Sequence, residues 1–426
     1  MASLILRTEQ YFDGTDLHAG RLASIAITDD RIAAIRLEEP SRGGAEARTT
    51  QAPRGDEATA EVIDATGLTV LPGLIDAHFH PVSSTFDVAS IDRQHPSLRA
   101  LDARQHLESA LLRGFTTVRD AGGGDIGLVR ALERGLIQGP RLLLAGKAIS
   151  QTGGHGDMRP GDSISICGCG YSGALSQVVD GVDEMRRAVR EQLRQGADHI
   201  KLFVSGGVLS PTDPIWMDQF TDEEIGAAVQ EAATRRTYVM AHAHTAEAVR
   251  RCVRNGVRSV EHGTLMDRQS ADEVAEAGAF VVPTLAVVDV LRESGDRLPR
   301  GAAEKLAAVA DRNCAALSEC VRAGVKLGFG TDLFGELRAR QADEFKVRGR
   351  IQAPLDVLRS ATRVNAELVN QTGQIGTLAA GALADVIGVE GNPLENVQVL
   401  AEPERYLKLV IKGGRIIVNR LSGRRQ

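Results

Sequence analysis

The sequence predicts an α/β protein: a (β/α)8 barrel accompanied by a small β-sandwich domain that the N- and C-terminal segments build together. Three observations lead there. Between Leu71 and about Thr372, short apolar runs alternate with amphipathic helical stretches, the pattern of repeated βα units and a parallel sheet. Eight such runs can be counted, and both chain ends read as short alternating strands. With 426 residues the chain is long enough for one barrel of roughly 250 residues plus an accessory domain. The expected domains are 1–70 with 377–426 for the sandwich, and 71–376 for the barrel.

In chain order, Ser24–Thr28 and Arg31–Ile35 read as a hairpin turned at Asp29-Asp30. Residues 40–60 shift to Gly, Ala, Arg, Glu and Pro without a period, which predicts a surface loop or a partly disordered insertion. The barrel strands are expected at Val70–Ala77, Thr116–Arg119, Leu142–Ala145, His199–Val204, Tyr238–Ala241, Ser259–Glu261, Phe280–Thr284 and Lys326–Gly330. A helix is expected over Thr221–Arg236, because Thr221 and Glu224 form a capping box and Ile225, Ala228, Val229 and Ala232 share one face. Another is expected over Pro354–Val369, opened by a first-turn proline. Ala384–Val389, Lys408–Ile411 and Arg415–Val418 are strand-like again.

Composition narrows the function classes. Hydrophobic residues make up 43% and charged residues 25%, the balance of an ordinary soluble globular protein. The net charge of −6, with no block of Lys or Arg, argues against a nucleic-acid partner. The N-terminus has too short an apolar run for a signal peptide and no stretch approaches the length of a membrane span, so the chain reads as cytoplasmic with no membrane partner. Five cysteines, an odd and scattered set, do not make a disulfide framework. Cys167 and Cys169 lack a second pair at metal-binding spacing and read as free thiols in a loop.

The chemistry gathers at the expected C-terminal ends of strands, where a (β/α)8 barrel carries its active site. His78 and His80, two apart on an extended strand, fall on one side and can share one ion. Lys201 sits among apolar residues; a buried ammonium is ion-paired, deprotonated or chemically modified, and pairing with a nearby carboxylate is the plain alternative. His242 and His244 end the fifth strand, His262 the sixth, and Asp332 follows the eighth.

This set resembles the amidohydrolase superfamily, and the surrounding text resembles its branch of imidazolonepropionase-like amidohydrolases and Xaa-Pro dipeptidases. The likeness runs over nearly the whole chain, through Leu71-Pro72-Gly73-Leu74-Ile75-Asp76-Ala77-His78, Thr116-Thr117-Val118-Arg119-Asp120, Thr152-Gly153-Gly154-His155-Gly156-Asp157, Gly381-Ala382-Leu383-Ala384-Asp385 and Asn392-Pro393. The resemblance implies two divalent metal ions: His78 and His80 on the more buried one, His242 and His262 on the second, a carboxylated Lys201 bridging both, and Asp332 completing the site. Zinc suits an imidazole-rich set. A carbamate also resolves the lysine problem, because it replaces a cation with an anionic bridge. Lys201 argues against a one-metal relative such as imidazolonepropionase. His155 and His244 resemble residues that contact the scissile carbonyl or a substrate carboxylate, with support of the metal ligands as their alternative reading. Asp332 is the expected acid/base for metal-activated water, and relatives commonly form homo-oligomers.

Substrate choice in a barrel lies in the βα loops, here 154–173 and 206–220. The second loop holds the chain's single tryptophan, Trp216, a candidate apolar wall for a bulky small-molecule substrate. Phe220 stands where dipeptidases of this branch resemble one another in a tyrosine that holds the substrate carboxylate. Its missing hydroxyl favours an N-acyl, aryl-amide, carbamate or urea substrate over an ordinary dipeptide. An Xaa-Pro dipeptidase, a deaminase and a non-catalytic metal-binding protein are the alternatives.

Overall fold

The structure is a computed structural model that describes residues 4–38, 60–162, 170–299 and 301–421. The expectations for Cys167 and Cys169, and for 40–60 except its last residue, lie outside the described residues. The chain divides into two compact units, 1–75 with 112–116 and 353–426, and 76–111 with 117–352.

The first unit is built on one mixed eight-stranded sheet to which both chain ends contribute. Strand Leu4–Phe12 pairs antiparallel with Leu17–Thr28, which turns back at Asp29, φ 52°, into Arg31–Leu37. On the other flank, Leu68–Pro72 pairs antiparallel with Val386–Glu390, which continues into Leu407–Lys412 and Arg415–Asn419. Leu6, Ile25, Ile27, Val70, Val386, Leu409 and Ile411 form one buried cluster, so N- and C-terminal segments share a core. The last expected helix also belongs here: it runs as Pro354–Arg359, a π-helical stretch Ser360–Val364 and Asn365–Leu368. Arg359 Nη2 donates to Thr15 O (2.8 Å) and Asn365 Nδ2 to Ile75 O (2.8 Å), which ties this helix to the terminal segments.

The single strand expected over Val70–Ala77 is instead two, Leu68–Pro72 and Leu74–Phe79, broken at Gly73. Gly73 N donates to Asp385 O at 2.8 Å, and a Cβ on Gly73 would stand 2.1 Å from Thr116 Oγ1. Only glycine tolerates that approach, and the chain changes sheets there.

The second unit is mixed α/β with parallel strands. Seven strands lie in the order Ser176–Val178, Ala148–Ser150, Ile200–Phe203, Val239–Thr245, Ser259–Leu265, Phe280–Val282 and Lys326–Leu327, and every neighbouring pair is parallel. Leu74–Phe79, Phe115–Asp120 and Arg141–Leu143 form a second set. Backbone bonds join the two sets on both flanks, Ala77 N to Phe329 O (2.8 Å) and Asp198 N to Leu144 O (2.7 Å). The strands read as continuous apolar runs because helices cover them. Helix Asp222–Thr234 carries the capping box of Thr221 and Glu224 and sinks Ile225, Ala228 and Ala232 into that core. Among the described residues no helix is long and apolar enough to cross a membrane.

His199, just before strand Ile200–Phe203, is buried, donates from Nε2 to Asp120 O at 2.8 Å and stacks on Tyr238. Burial first, then the nearby Arg119 charge, push it down to about 3. The unfolded chain therefore takes up a proton below about pH 6.5 that the native state refuses, so this group's contribution is complete above pH 6.5 and is lost as pH falls toward 3. Chemical denaturation at pH 6.5 and 4.5 should show His199→Gln losing about 2 kcal/mol less than the parent over that interval.

Candidate functional site

His78 is the penultimate residue of strand Leu74–Phe79 and His80 follows just past its end, so both project to one side. Their Nε2 atoms lie 3.3 and 3.2 Å from Asp332 Oδ1. The three residues bring one donor atom each within 4.8 Å of one another, a group that could hold a metal ion. Asp332 reaches this place through a left-handed turn, φ 55°, with its N donating to His78 O at 2.9 Å. A non-glycine residue held there costs on the order of 1 kcal/mol, the kind of local strain that gathers at functional sites. Asp76 braces the arrangement, accepting from His78 N (3.0 Å), Thr331 N (3.2 Å), Thr331 Oγ1 (2.6 Å) and Gln341 Nε2 (2.8 Å).

The other expected metal-site residues, with His155 and His244, converge on the same cavity. His78, His80, His155, Lys201, His242, His244, His262 and Asp332 all line it, a space of about 90 Å³, room for ions and bound water. Most of the imidazoles are tied by one ring nitrogen. His78 Nδ1 donates to Glu261 Oε2 (2.8 Å), His80 Nδ1 to Gly122 O (3.0 Å) and His242 Nε2 to Gly206 O (3.2 Å). His262 Nδ1 and His244 Nδ1 bond the hydroxyls of Thr284 (2.7 Å) and Thr264 (2.8 Å). Carbonyl and carboxylate oxygens only accept, so in the first three rings the opposite nitrogen carries the lone pair when the ring is neutral.

Burial pulls His242 and His262 well below the usual histidine range and His244 down to about 3, which leaves these rings neutral. Burial pushes Asp332 the other way, but His78, His80 and His262 outweigh it and hold the carboxyl well below the usual carboxylate range. Lys201 is 1% exposed, and its amine has no hydrogen bond or ion pair among the described residues. Burial brings it down to about 8, partly offset by Glu261 and Asp332 at longer range. The paired-lysine alternative is therefore not what the structure displays.

The upper wall is apolar: Val208 and Leu209 from one loop, Val287, Val288 and Leu291 from helix Leu285–Ser294, and Leu306 and Val309 from helix Ala302–Ala310. Lys201 is the only Lys or Arg on the cavity wall among the described residues. Trp216 and Phe220 are not brought to it. Met217 N bonds Pro214 O at 3.0 Å, which sets Trp216 on the tip of a tight turn, 76% exposed, while Ile215 takes the buried position. Phe220 precedes the cap Thr221 and joins the same core cluster as Ile225, the arrangement of a hydrophobic staple. The expected apolar wall exists, but other residues supply it.

Two residues given no role on sequence grounds stand beneath the site. Glu261, fully buried, accepts from His78 Nδ1 and from Arg119 Nη2 at 2.8 Å. Burial pushes its carboxyl up, but Arg119, His78 and Lys201 outweigh this and hold it at about 2, an anion that orients His78. Arg119 is locked by a further bond to Ala77 O (2.6 Å).

Residues 69–417 match the amidohydrolase family. The chain belongs to that family. Ochratoxinase of Aspergillus niger is 34% identical over 362 residues, 82% of this chain and 75% of that protein. Among solved structures, a prolidase in complex with N-methylphosphonate-L-proline is 42% identical with a TM-score of 0.90, covering 98% of this chain and 99% of that one. A Xaa-Pro dipeptidase with methionine bound in its active site is 31% identical with a TM-score of 0.84, over 98% and 100% of the two chains. Like other members of the family, the chain is a hydrolytic enzyme acting on C–N bonds.

Proposed function

We propose that this amidohydrolase uses two divalent cations, zinc by preference, to cleave an amide-type C–N bond in a small molecule that carries an apolar or aryl group. The observation that carries the reading is one cavity with donors from five strands and the turns after them, where His78, His80, His242 and His262 are each tied by one ring nitrogen and the Nε2 atoms of His78 and His80 face Asp332. Imidazoles, of which His242 and His262 are held neutral by burial, and one carboxylate make a donor set that fits such ions. His78, His80 and Asp332 would hold one ion, His242 and His262 the other, and Lys201, carboxylated on its amine, would bridge them. A buried amine with no hydrogen bond or ion pair among the described residues, brought down to about 8, is accessible as the free base that reacts with carbon dioxide.

When bound, the cations lower the pKa of a water and polarise the scissile carbonyl. Asp332 accepts the proton of the attacking water and returns it to the leaving nitrogen. His155 and His244, on the cavity wall beside His242, meet the substrate's carbonyl or a carboxylate. The backbone bonds on both flanks support a closed eight-stranded barrel, and the shared terminal core supports a sandwich formed when the mixed sheet folds over itself.

The apolar wall, with no Lys or Arg beyond Lys201 among its described residues, favours N-acyl, aryl-amide, carbamate or urea substrates. Xaa-Pro dipeptidase activity is the second reading, favoured by the 42% identity to a prolidase. A panel of both groups, assayed with metal added and stripped, is expected to give the highest kcat/KM on a substrate with an aryl or acyl group next to the scissile bond. Activity confined to Xaa-Pro dipeptides would transfer the assignment to the second reading, and activity indifferent to metal would sink both.

A further inference from the structure

Behind His155 lies a carboxylate that none of these steps uses. Asp213 is fully buried; its Oδ2 accepts from Gly207 N at 2.8 Å and stands 3.4 Å from His155 Nδ1, while its Oδ1 has no hydrogen bond among the described residues. Lys305 Nζ lies 3.8 Å from Oδ1 and donates to the carbonyls of Gly207 (3.0 Å) and Ser210 (2.8 Å). A buried carboxylate is costly unless charges and N–H groups answer it, so its presence at this spot calls for an explanation.

The surroundings clamp one ring. Ser210 Oγ donates to Gly207 O (3.2 Å), which leaves its oxygen to accept from His155 Nδ1 at 2.8 Å. A Cβ on Gly207 would stand 2.1 Å from His155 Cε1, so the glycine lets the ring lie against the loop backbone. The ring also stacks on His242 at 4.3 Å, and His155 N donates to Gln219 Oε1 at 3.0 Å. With Nδ1 turned toward two acceptors, Nε2 is the ring nitrogen without a partner among the described residues, and the ring borders the cavity.

We infer that Asp213 is a positioning residue for the hydrolysis: with Ser210 it holds the Nδ1 edge of His155, so that Nε2 is presented to the substrate, and Lys305 fixes the loop that carries both. The inference rests on the role given to His155 above. A carboxylate does what an amide in its place cannot, because an amide offers a donor as readily as an acceptor and lets the imidazole turn over.

The test is a double-mutant cycle of Asp213→Asn and His155→Ala, with kcat and KM on one good substrate, metal content and thermal midpoint for each protein. Asp213→Asn is expected to lower kcat/KM by about tenfold or more with bound metal unchanged, and the double variant to be no worse than His155→Ala alone. Losses that multiply in the double variant, or an Asp213→Asn enzyme as active as the parent, would overturn the inference while leaving His155 in its role. A fully active His155→Ala enzyme would instead remove the role of His155, and this inference with it. If Asp213→Asn does not fold, Asp213→Glu, which keeps the charge but displaces the carboxylate, enters the same cycle under the same criteria.

Discussion

Replacing Lys201 by alanine is expected to lower kcat/KM on the order of 10³-fold or more, because in the proposed site both cations would lose their shared ligand and with it several kcal/mol of transition-state stabilisation. The same variant should fold normally and resist denaturant at least as well as the metal-stripped parent. A buried amine with no ion pair among the described residues contributes little to stability and costs desolvation. The two results together discriminate. A lysine needed only for packing would lose stability and activity in step, whereas a bridging lysine loses activity alone. Metal uptake by stripped parent protein should quicken as bicarbonate is raised, since the amine must first take up carbon dioxide, and that dependence should vanish in Lys201→Ala.

The second large effect is expected at Asp332. Asp332→Asn keeps the shape of the side chain and its contacts near His78 and His80 but removes the proton acceptor, and kcat is expected to fall about 10²- to 10⁴-fold with a small change in KM. In the proposed mechanism the proton it takes from water is needed by the leaving nitrogen. The loss should therefore be largest for amides of basic amines and shrink for activated anilides or esters, whose leaving groups depart without one. An equal loss across such a series would show that Asp332 serves as a ligand and not as the acid/base.

Much of the site is legible in the sequence, and the reasons are geometric. His78 with His80, at and just past a strand end, and His242 with His244, within a strand, are two apart in extended chain, so a period of two brings each pair to one side. Glu261 escaped for the same reason. Strict alternation turns it away from its neighbour His262, yet both serve the site, because His262 adopts φ 73° within strand Ser259–Leu265 and the alternation breaks there. No propensity announces such a backbone angle. Trp216 and Phe220 illustrate the opposite failure: an aromatic residue in an active-site loop is visible in sequence, but its direction is decided by a turn at Pro214–Met217 and by the staple onto Ile225. The coupling of Asp213 to His155 spans a loop whose closure depends on Lys305, a residue of a later helix, and no local pattern links the three.

The fold divides along similar lines. Repeated apolar runs disclosed the parallel strands, and the hairpin at Asp29 was plain from its alternating flanks. The break at Gly73 was not, since Val70–Ala77 reads as one strand, and the close approach of Thr116 and the bond to Asp385 that mark the break come from distant parts of the chain.

A pair of metal ions held by this donor set should appear in elemental analysis of the purified protein, run alongside its activity before and after chelation. About two ions per chain, removed together with activity and restored together with it, is the expected outcome; one ion or none in a fully active enzyme would overturn the two-cation site.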